Sequence, residues 1–367
     1  MKKIIITICL LATAATLFAQ SKEDTTLMKN FRLDFAVPDM PAFKMLGTNP
    51  SNILRPSSPQ ALSLMISEIG GGDGFVLPKS FAAELAPYIL MKSRSLTLED
   101  YDKNSQLYNL RLSLGTSRNP ENSTTTDVSI GFRSTLIDKG DLKNDQQYRR
   151  HVYKLLADKG ELKDKYQDEY LTNNNLSIHD VVQSEVKKTS MNEYINNKIE
   201  DYEANFDYRL DTLKQGFKER NWNKQKLDVA LAMLGSSPDS LTENIEFNKF
   251  SLWSTYGAPV GTNGQILLGF NYNYFTNDSL EYGITSLTSR FYGGSNSYKG
   301  FGEIQVKRNE NLNSNFIYLA LGGEINIKDG IWANISAGLE RNWTDNNSYF
   351  VSHFDLRFTI PEDIKLF

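Results

Sequence analysis

The chain has 367 residues, a formal net charge of −4 at pH 7 and a mean hydropathy of −0.43. The small net charge and the lack of a basic cluster exclude a phosphate-binding face, so nucleic acid is not an expected partner. The single cysteine, Cys9, lies in the N-terminal apolar stretch, which excludes a disulfide framework and thiolate chemistry in the rest of the chain. The negative mean hydropathy would suit a soluble protein, but a transmembrane β-barrel gives the same average, because every second strand residue is polar and faces the lumen.

The first 20 residues have the pattern of a secretory signal peptide. Lys2 and Lys3 precede an apolar run over 4–11, and small residues over 14–19 lead to a cleavage site near the end of the segment. This stretch is too short to span a membrane, and no later stretch approaches about 18 apolar residues. We therefore predict an exported protein without transmembrane helices, from which residues 1–20 are removed.

Residues 21–60 form an irregular, proline-rich segment in our interpretation. No helical or strand period is visible between Ser21 and Leu54, and five prolines fall between 38 and 59. The part Val37–Phe43 has four possible roles: a plug, a periplasmic arm, a partner-binding segment or a simple tether. The pattern does not choose among them.

Alternating apolar and polar residues predict a first group of strands in 61–137. Three segments place apolar residues on one face and small, polar or charged residues on the other: 81–91, 108–115 and 128–136. Pro87 predicts a bulge or an edge position in the first of them. A strand over Ala61–Ile69 is also predicted, although a short helix fits this stretch nearly as well.

Residues 138–225 form a charged, glycine-poor insertion with helical periodicity. Apolar residues recur at helical spacing, as at Tyr148, Val152 and Leu155. We predict two or three helices, and their charge density indicates that they lie in water. The insertion is either a docking or gating module or a solvated helical hairpin with a structural role, because long insertions are often but not always functional.

Residues 226–367 continue the strands. The clearest segment is a hairpin, in which alternating arms over 315–327 and 331–340 flank the turn Asp329-Gly330. Each arm has the roughly 9–11 residues of a tilted strand that crosses a bilayer. The predicted segments number eleven plus Ala61–Ile69, and bacterial barrels have even strand numbers, so twelve strands are predicted. A periplasmic C-terminus then puts the turn and the helical insertion on the periplasmic side.

The chain resembles outer-membrane β-barrel proteins of Gram-negative bacteria. The resemblance rests on the leader KKIIITICLLATAATLFAQ, on alternating strands of about ten residues, and on a C-terminal strand over Tyr349–Ile360 with the aromatic Phe367 at the end. Pro361–Asp363 interrupts the alternation before that aromatic residue. The resemblance implies an all-β fold: a transmembrane antiparallel β-barrel of about 12 strands, here with a long charged α-helical insertion, surrounded by outer-membrane lipid.

No motif for catalysis, metal binding or cofactor binding stands out. His353 lies on the last predicted strand beside Asp355, on the face assigned to the lumen. Outer-membrane lipid hydrolases, which the chain resembles in architecture, pair a histidine with a serine, and such a pair must lie within hydrogen-bond reach. No motif marks that serine here. We predict no catalytic residue, no metal and no cofactor, and a lipid hydrolase is the most distant alternative.

Charged residues recur on the strand faces that oppose the apolar ones. We expect them in the lumen, because an Arg or Lys that faces lipid at the midplane costs about 2–4 kcal/mol. The lumen-lining candidates are Glu84, Arg111, Arg133, Asp228, Arg290, Glu303, Glu324, Asp355 and Arg357, with Lys307 in the same pattern. Inward aromatics such as Tyr318 favour a constricted polar lumen. The favoured function is a channel or transport protein for small solutes; the alternative is a non-conducting accessory subunit that docks a periplasmic or surface protein through 138–225.

Overall fold

The computed structural model describes residues 39–47, 51–56, 62–67, 80–92, 98–118, 125–237, 245–277, 280–328, 330–344 and 346–359. The predicted leader 1–20 and the terminal Phe367 lie outside the described residues, as does part of the segment 21–60.

Twelve antiparallel strands, counted over the described residues, close into a barrel. Each strand pairs with its neighbours in sequence, and β1 pairs with β12, where Leu64 lies opposite Phe358, to complete the ring. The strands are β1 (Leu62–Ser67), β2 (Ser80–Leu85), β3 (Leu110–Arg118), β4 (Thr126–Asp138), β5 (Lys226–Ser237), β6 (Glu246–Val260), β7 (Gly264–Asn277), β8 (Leu280–Gly294), β9 (Tyr298–Asn309), β10 (Ser314–Lys328), β11 (Ile331–Asn342) and β12 (Ser348–Thr359). The predicted 12-stranded barrel is confirmed, and Ala61–Ile69 contains its first strand.

Alternation along the strands separates an apolar outer face from a polar inner face. In the β10–β11 hairpin, Leu319 pairs with Leu339 and both are about half exposed, whereas Tyr318 and Trp332 are buried inside. The outer face carries further exposed apolar side chains around the ring: Leu114, Ile130, Leu231, Leu252, Leu268, Leu287, Ile304 and Phe354. A soluble protein rarely exposes so continuous an apolar surface, whereas a membrane-spanning barrel requires one.

Helices of the barrel unit interrupt the strand pattern. Among the described residues they are α1 (Pro41–Met45), α2 (Pro87–Lys92) and α3 (Leu98–Tyr108). The strand predicted over 81–91 is wrong in its second half, because β2 ends at Leu85 and Pro87 begins α2. Proline lacks the N–H that a strand ladder needs, but the first turn of a helix leaves that N–H unused.

The helical insertion connects β4 to β5. It contains a short 3₁₀ helix (Leu142–Asn144), α4 (Gln146–Asn173), α5 (Ile178–Val182) and α6 (Glu185–Asn221). Residues Leu142–Arg220 form a compact unit. Its apolar core contains Val181, Met191, Ile195 and Ile199, with Leu162, Tyr166, Tyr170, Leu171 and Leu176 packed against them. The predicted α-helical insertion is confirmed. No helix among the described residues has the length and apolar content that a membrane crossing needs.

Side-chain caps fix two helix starts in the insertion. The Asp145 carboxylate accepts a hydrogen bond from the Tyr148 backbone N–H at 2.9 Å and caps α4. Ser177 and Asp180 form a reciprocal capping box at the start of α5, with hydrogen bonds of 3.3 and 2.8 Å. These contacts satisfy N–H groups that the first turn of a helix leaves without an intrahelical partner.

Three short turns share one end of the barrel, whereas two residues connect β7 to β8 at the opposite end. Two or three residues connect β6 to β7, β8 to β9 and β10 to β11, and Gly261 and Gly330 take the positive φ angles of +64° and +79° that these turns need. The end of β4 and the start of β5 lie at that same end, since the strands alternate in direction. Short turns of bacterial barrels are periplasmic, but short connections at both ends do not by themselves identify the periplasmic end. The periplasmic side of the insertion stays a prediction.

Candidate functional site

All nine charged residues predicted for the lumen lie buried on the inner face of the barrel. They are Glu84 on β2, Arg111 on β3, Arg133 on β4, Asp228 on β5, Arg290 on β8, Glu303 on β9, Glu324 on β10, and Asp355 and Arg357 on β12. Each of them exposes 5% or less of its surface. Lys307 is less buried and pairs with Glu340 at 2.9 Å. No group of metal-ligating side chains occurs within the described ranges.

A four-charge cluster spans β2 to β5. Arg111 and Arg133 lie directly opposite each other, with Glu84 and Asp228 on the two flanking strands. The Arg133 guanidinium is 2.8 Å from Glu84, and that of Arg111 is 3.5 Å from Asp228. Two carboxylates therefore offset the repulsion between two desolvated guanidiniums. The Nε atoms of both arginines and both Asp228 oxygens have no hydrogen-bond partner among the described residues.

Two ion pairs line the part of the wall between β8 and β12. Arg290 pairs with Glu303, its cross-strand neighbour, and donates a hydrogen bond to the Tyr292 hydroxyl at 2.8 Å. Arg357 pairs with Asp355 on the same strand at 2.6 Å. In both pairs, a carboxylate of the wall neutralises the charge of the arginine.

The environment of His353 does not resemble a nucleophilic site. Its Nε2 atom lies 2.9 Å from Asp355, whose carboxylate also accepts a hydrogen bond from Asn334 at 2.9 Å. Ser336 is the cross-strand neighbour of His353, but no serine of the described ranges is hydrogen-bonded to the imidazole. An activated serine needs that contact.

The N-terminal segment lies inside the barrel, and we call its described residues, 39–47 and 51–56, the plug. Met40 and Phe43 pack with Met65 of β1 and Ala82 of β2. Met45 and Leu54 pack with Ala230 and Ala232 of β5 and with Trp253 of β6. Of the four roles left open for Val37–Phe43, its described part, from Asp39 onward, has the position of a plug.

Ionic and polar contacts join the two stretches of the plug to each other. The Asp39 carboxylate accepts hydrogen bonds from Arg55 Nε at 2.9 Å and from the Arg55 backbone N–H at 3.1 Å. Lys44 Nζ donates to the Ser51 carbonyl at 2.8 Å. These bonds connect the two stretches of the plug without any wall group.

The wall hydrogen-bonds the backbone of the plug. Ser113 accepts from the Ala42 N–H at 3.1 Å, and Ser129 donates to the Ala42 carbonyl at 2.7 Å. On the second stretch, the Gln305 side chain accepts from the Asn52 N–H at 2.8 Å. Arg133 of the wall also donates to the Arg55 carbonyl at 3.1 Å. These bonds satisfy backbone groups that burial would otherwise leave without partners.

The wall also binds the charged groups of the plug. Arg55 forms a close ion pair with Glu324, which in turn accepts a hydrogen bond from the Tyr292 hydroxyl at 2.7 Å. Arg357 lies 3.2 Å from the Asp39 carboxylate. The resulting chain of alternating charges runs Arg357, Asp39, Arg55, Glu324.

Two wall glycines leave the space that the plug occupies. A Cβ atom at Gly131 would lie 2.7 Å from the Ala42 nitrogen and 2.8 Å from Pro41 Cβ. A Cβ atom at Gly269 would lie 2.8 Å from Ile53 Cγ1. Contacts this short require a shift, so a larger side chain at Gly131 would press on the plug backbone and one at Gly269 on the Ile53 side chain.

The sequence patterns did not identify these plug contacts, but they contain a signal for them. Several inner-face residues beside the plug are small: Ala82, Ser113, Gly131, Ala230 and Ala232. Protein interiors are packed to high density, so a run of small inward residues in a closed barrel indicates that another segment fills the space.

Comparisons with known proteins give similar structures but no related sequence. No protein-family model and no curated protein matches the chain. A porin is similar in structure with a TM-score of 0.29 and 8% identity, over 89% of this chain and 73% of the porin. The translocator domain of the autotransporter NalP from Neisseria meningitidis has a TM-score of 0.30 and 8% identity, over 86% of this chain and 92% of that domain. Likeness at this level says nothing about activity; the closed ring of strands with its apolar exterior has the fold of an outer-membrane β-barrel.

Proposed function

We propose that the protein is an outer-membrane channel for small solutes whose lumen is closed by its own N-terminal plug. The observation that carries this proposal is the set of polar and ionic contacts between plug and wall, from Ser113 and Ser129 on one side to Glu324 and Arg357 on the other. The apolar exterior and the predicted leader support the outer membrane as its location.

The charges on the wall favour a plug that can leave the lumen, rather than one that fills it permanently. Burying ions costs several kcal/mol each, and apolar residues of similar size usually fill a fixed core at no loss of stability. The wall keeps nine buried charges, and Arg111 and Asp228 have atoms without hydrogen-bond partners among the described residues. Water would satisfy those atoms once the plug moved out. A charged wall is therefore expected where the lumen is wet during part of the working cycle.

The internal contacts of the plug suit movement as one body. Asp39 binds Arg55, and Lys44 binds Ser51, so these bonds need not break when the wall contacts do. Release then requires only the exchange of wall hydrogen bonds for water, whose net cost is modest for each bond.

A reversible disulfide between plug and wall tests the proposal. A Cβ atom built at Gly269 lies 3.5 Å from Ile53 Cβ, within the range that a disulfide spans. Cys9 is the only native cysteine, so the pair Ile53→Cys and Gly269→Cys in a Cys9→Ser background contains the only thiols. The matched control is Ile53→Cys alone.

Single-channel recording in planar bilayers gives the readout. We expect a variant without residues 39–56 to conduct in clear steps, and the oxidised double-cysteine variant to be silent until a reductant is added. The control should not respond to reductant. A folded plug-deleted barrel that stays silent would overturn the proposal.

The second candidate, a non-conducting accessory subunit, has support from the helical insertion. Ile178, Val182 and Val186 are 48%, 66% and 76% exposed around the junction of α5 and α6. Exposed apolar clusters of this kind often bind other proteins. Silence of the plug-deleted barrel, together with a periplasmic protein that binds the wild type but not the variant with serine at all three positions, would favour this function.

A further inference from the structure

We infer that the plug occupies a peptide-binding site of the lumen wall, and that the solutes of the channel are short peptides that carry both a basic and an acidic group. This inference rests on the proposed channel function. On this inference, the plug and the solute of the channel compete for the same site on the wall.

Recognition of peptide backbone is the first ground. Ser113 and Ser129 bond the N–H and the carbonyl of a single residue, Ala42, in the first turn of α1. Gln305 bonds a second N–H, that of Asn52, and Arg133 bonds a further carbonyl. All four wall groups are side chains, so a peptide with a different sequence would find the same donors and acceptors. A sugar or an inorganic ion offers no such alternation of N–H and carbonyl groups.

Recognition of two opposite charges is the second ground. Glu324 binds the Arg55 guanidinium of the plug, and Arg357 binds the Asp39 carboxylate of the plug. Arg55 and Asp39 also contact each other. A ligand that carries a cation and a carboxylate near each other would replace both plug groups at once. A simple anion would leave Glu324 without its partner, and an unpaired buried charge is costly; a simple cation would leave Arg357 with Asp355 but without the second carboxylate that the plug supplies.

The other wall charges do not compete for this role. Arg290 is paired with Glu303, and the four-charge cluster around Arg111 is neutral as a whole. Lys299 is the cross-strand neighbour of Glu324, and its ammonium lies over the rings of Trp222 and Trp332, at 4.9 and 5.3 Å from their centroids. Once the plug leaves, Glu324 keeps the Tyr292 hydroxyl, and no cation of the described wall is within ion-pair distance of it.

Peptide block of the plug-deleted barrel tests the inference. The probes are two tripeptides with acetylated N-termini and amidated C-termini, Asp-Ala-Arg and the neutral analogue Asn-Ala-Gln, added to single channels of the variant without residues 39–56. Because hydrogen bonds to charged groups are worth more than neutral ones, we expect the charged tripeptide to block at a concentration at least about tenfold lower. Glu324→Gln and Arg357→Gln should each remove that difference.

The control and the contrary outcomes separate the two proposals. Glu340→Gln makes the same chemical change on β11, where the carboxylate pairs with Lys307 and touches no plug residue, and it should keep the preference for the charged peptide. If the barrel conducts but both tripeptides block equally, or if Glu324→Gln and Arg357→Gln leave the preference unchanged, the peptide site is wrong while the channel stands. If the folded barrel never conducts, the channel function itself is wrong.

Discussion

Asp39 and Arg55 form an ion pair inside the barrel, with Arg55 Nε 2.9 Å from the Asp39 carboxylate, and each of them also binds a wall residue of opposite charge. The pair therefore joins the two stretches of the plug, a contact that we call the clasp, and also attaches the plug to the wall through ion pairs. Because 16 residues separate the two in sequence, their contact depends on the fold of the plug rather than on local structure. A change at Asp39 should weaken the clasp and the attachment together.

Asp39→Asn should shift the channel toward its open form. The substitution leaves Arg55, Lys44 and Arg357 without the carboxylate that they share, and removal of one partner from a buried ion pair typically costs about 3–5 kcal/mol. The cost falls on the plugged state, since the freed cations regain water once the plug leaves. Open probability in planar bilayers should rise strongly, and trypsin should cleave within the plug faster than in the wild type.

Asp127→Asn is the matched control for that experiment. Asp127 accepts a hydrogen bond from Ser236 at 2.7 Å, as Asp39 accepts bonds from Arg55, but it touches no plug residue. Its substitution should leave open probability and trypsin cleavage unchanged. Equal behaviour of the two variants would mean that the clasp does not hold the plug in place.

Gly131→Val should expel the plug while the barrel remains folded. Valine suits a strand, but its Cβ would overlap the Ala42 nitrogen, which lies 2.7 Å from the position of that atom. Maleimide labelling of Ala42→Cys in the Cys9→Ser background should rise from near zero to completion in the presence of Gly131→Val. Gly302→Val, where a Cβ meets Leu321 Cδ2 at an ordinary 3.6 Å, is the control. Unchanged labelling with Gly131→Val would contradict the tight approach of the plug.

Period-two alternation predicted the barrel, because strand geometry ties each residue to a face. The burial of Trp332 and the exposure of Leu339 both follow from their places in one alternating arm. The same rule places Arg133 and Glu324 on the inner face. Pro87 misled the prediction because alternation continues through it by chance while its missing N–H starts a helix.

The site itself could not be predicted in the same way, since its contacts are not periodic. Ala42 meets Ser113 across 71 residues, and Asn52 meets Gln305 across 253. Neither 21–60 nor the inner strand faces contain a local pattern that specifies these pairs. Only the run of small inward residues, such as Gly131, marks the space that the plug fills.

Asn223→Ala should destabilise the barrel at the end that carries the β6–β7 turn. The buried Asn223 amide donates hydrogen bonds to the carbonyls of Thr262 at 3.0 Å and Gly264 at 2.8 Å, which tie the start of β5 to the β6–β7 turn. Leaving the buried Gly264 carbonyl without this donor costs about 1–3 kcal/mol. The urea midpoint of the detergent-solubilised barrel should fall accordingly, while Asn205→Ala, at an exposed site of α6, should change it little. Equal midpoints would show that water replaces the amide at no cost.

The capping box of α5 should weaken in acid. Hydrogen bonds from the Ser177 hydroxyl and backbone N–H lower the pKa of the Asp180 carboxyl below its ordinary value of 3.8. A carboxyl with a depressed folded-state pKa stabilises the fold above its unfolded pKa, and that stabilisation disappears as the pH falls through the folded value. Amide hydrogen exchange over Ile178–Val182, corrected for the intrinsic rate, should therefore lose protection in the full-length protein as the pH falls below about 4.

Ser177→Ala removes the two hydrogen bonds of the Ser177 hydroxyl, keeps the backbone N–H bond to Asp180, and supplies the control for the pH experiment. Its α5 amides should be less protected than those of the wild type near neutral pH, since loss of an N-cap serine weakens a helix start. Their protection should also be less sensitive to acid, because the main hydrogen bond that holds the Asp180 pKa down is gone. If the variant keeps the pH dependence of the wild type, the Ser177 hydroxyl does not control the acid sensitivity of this helix start.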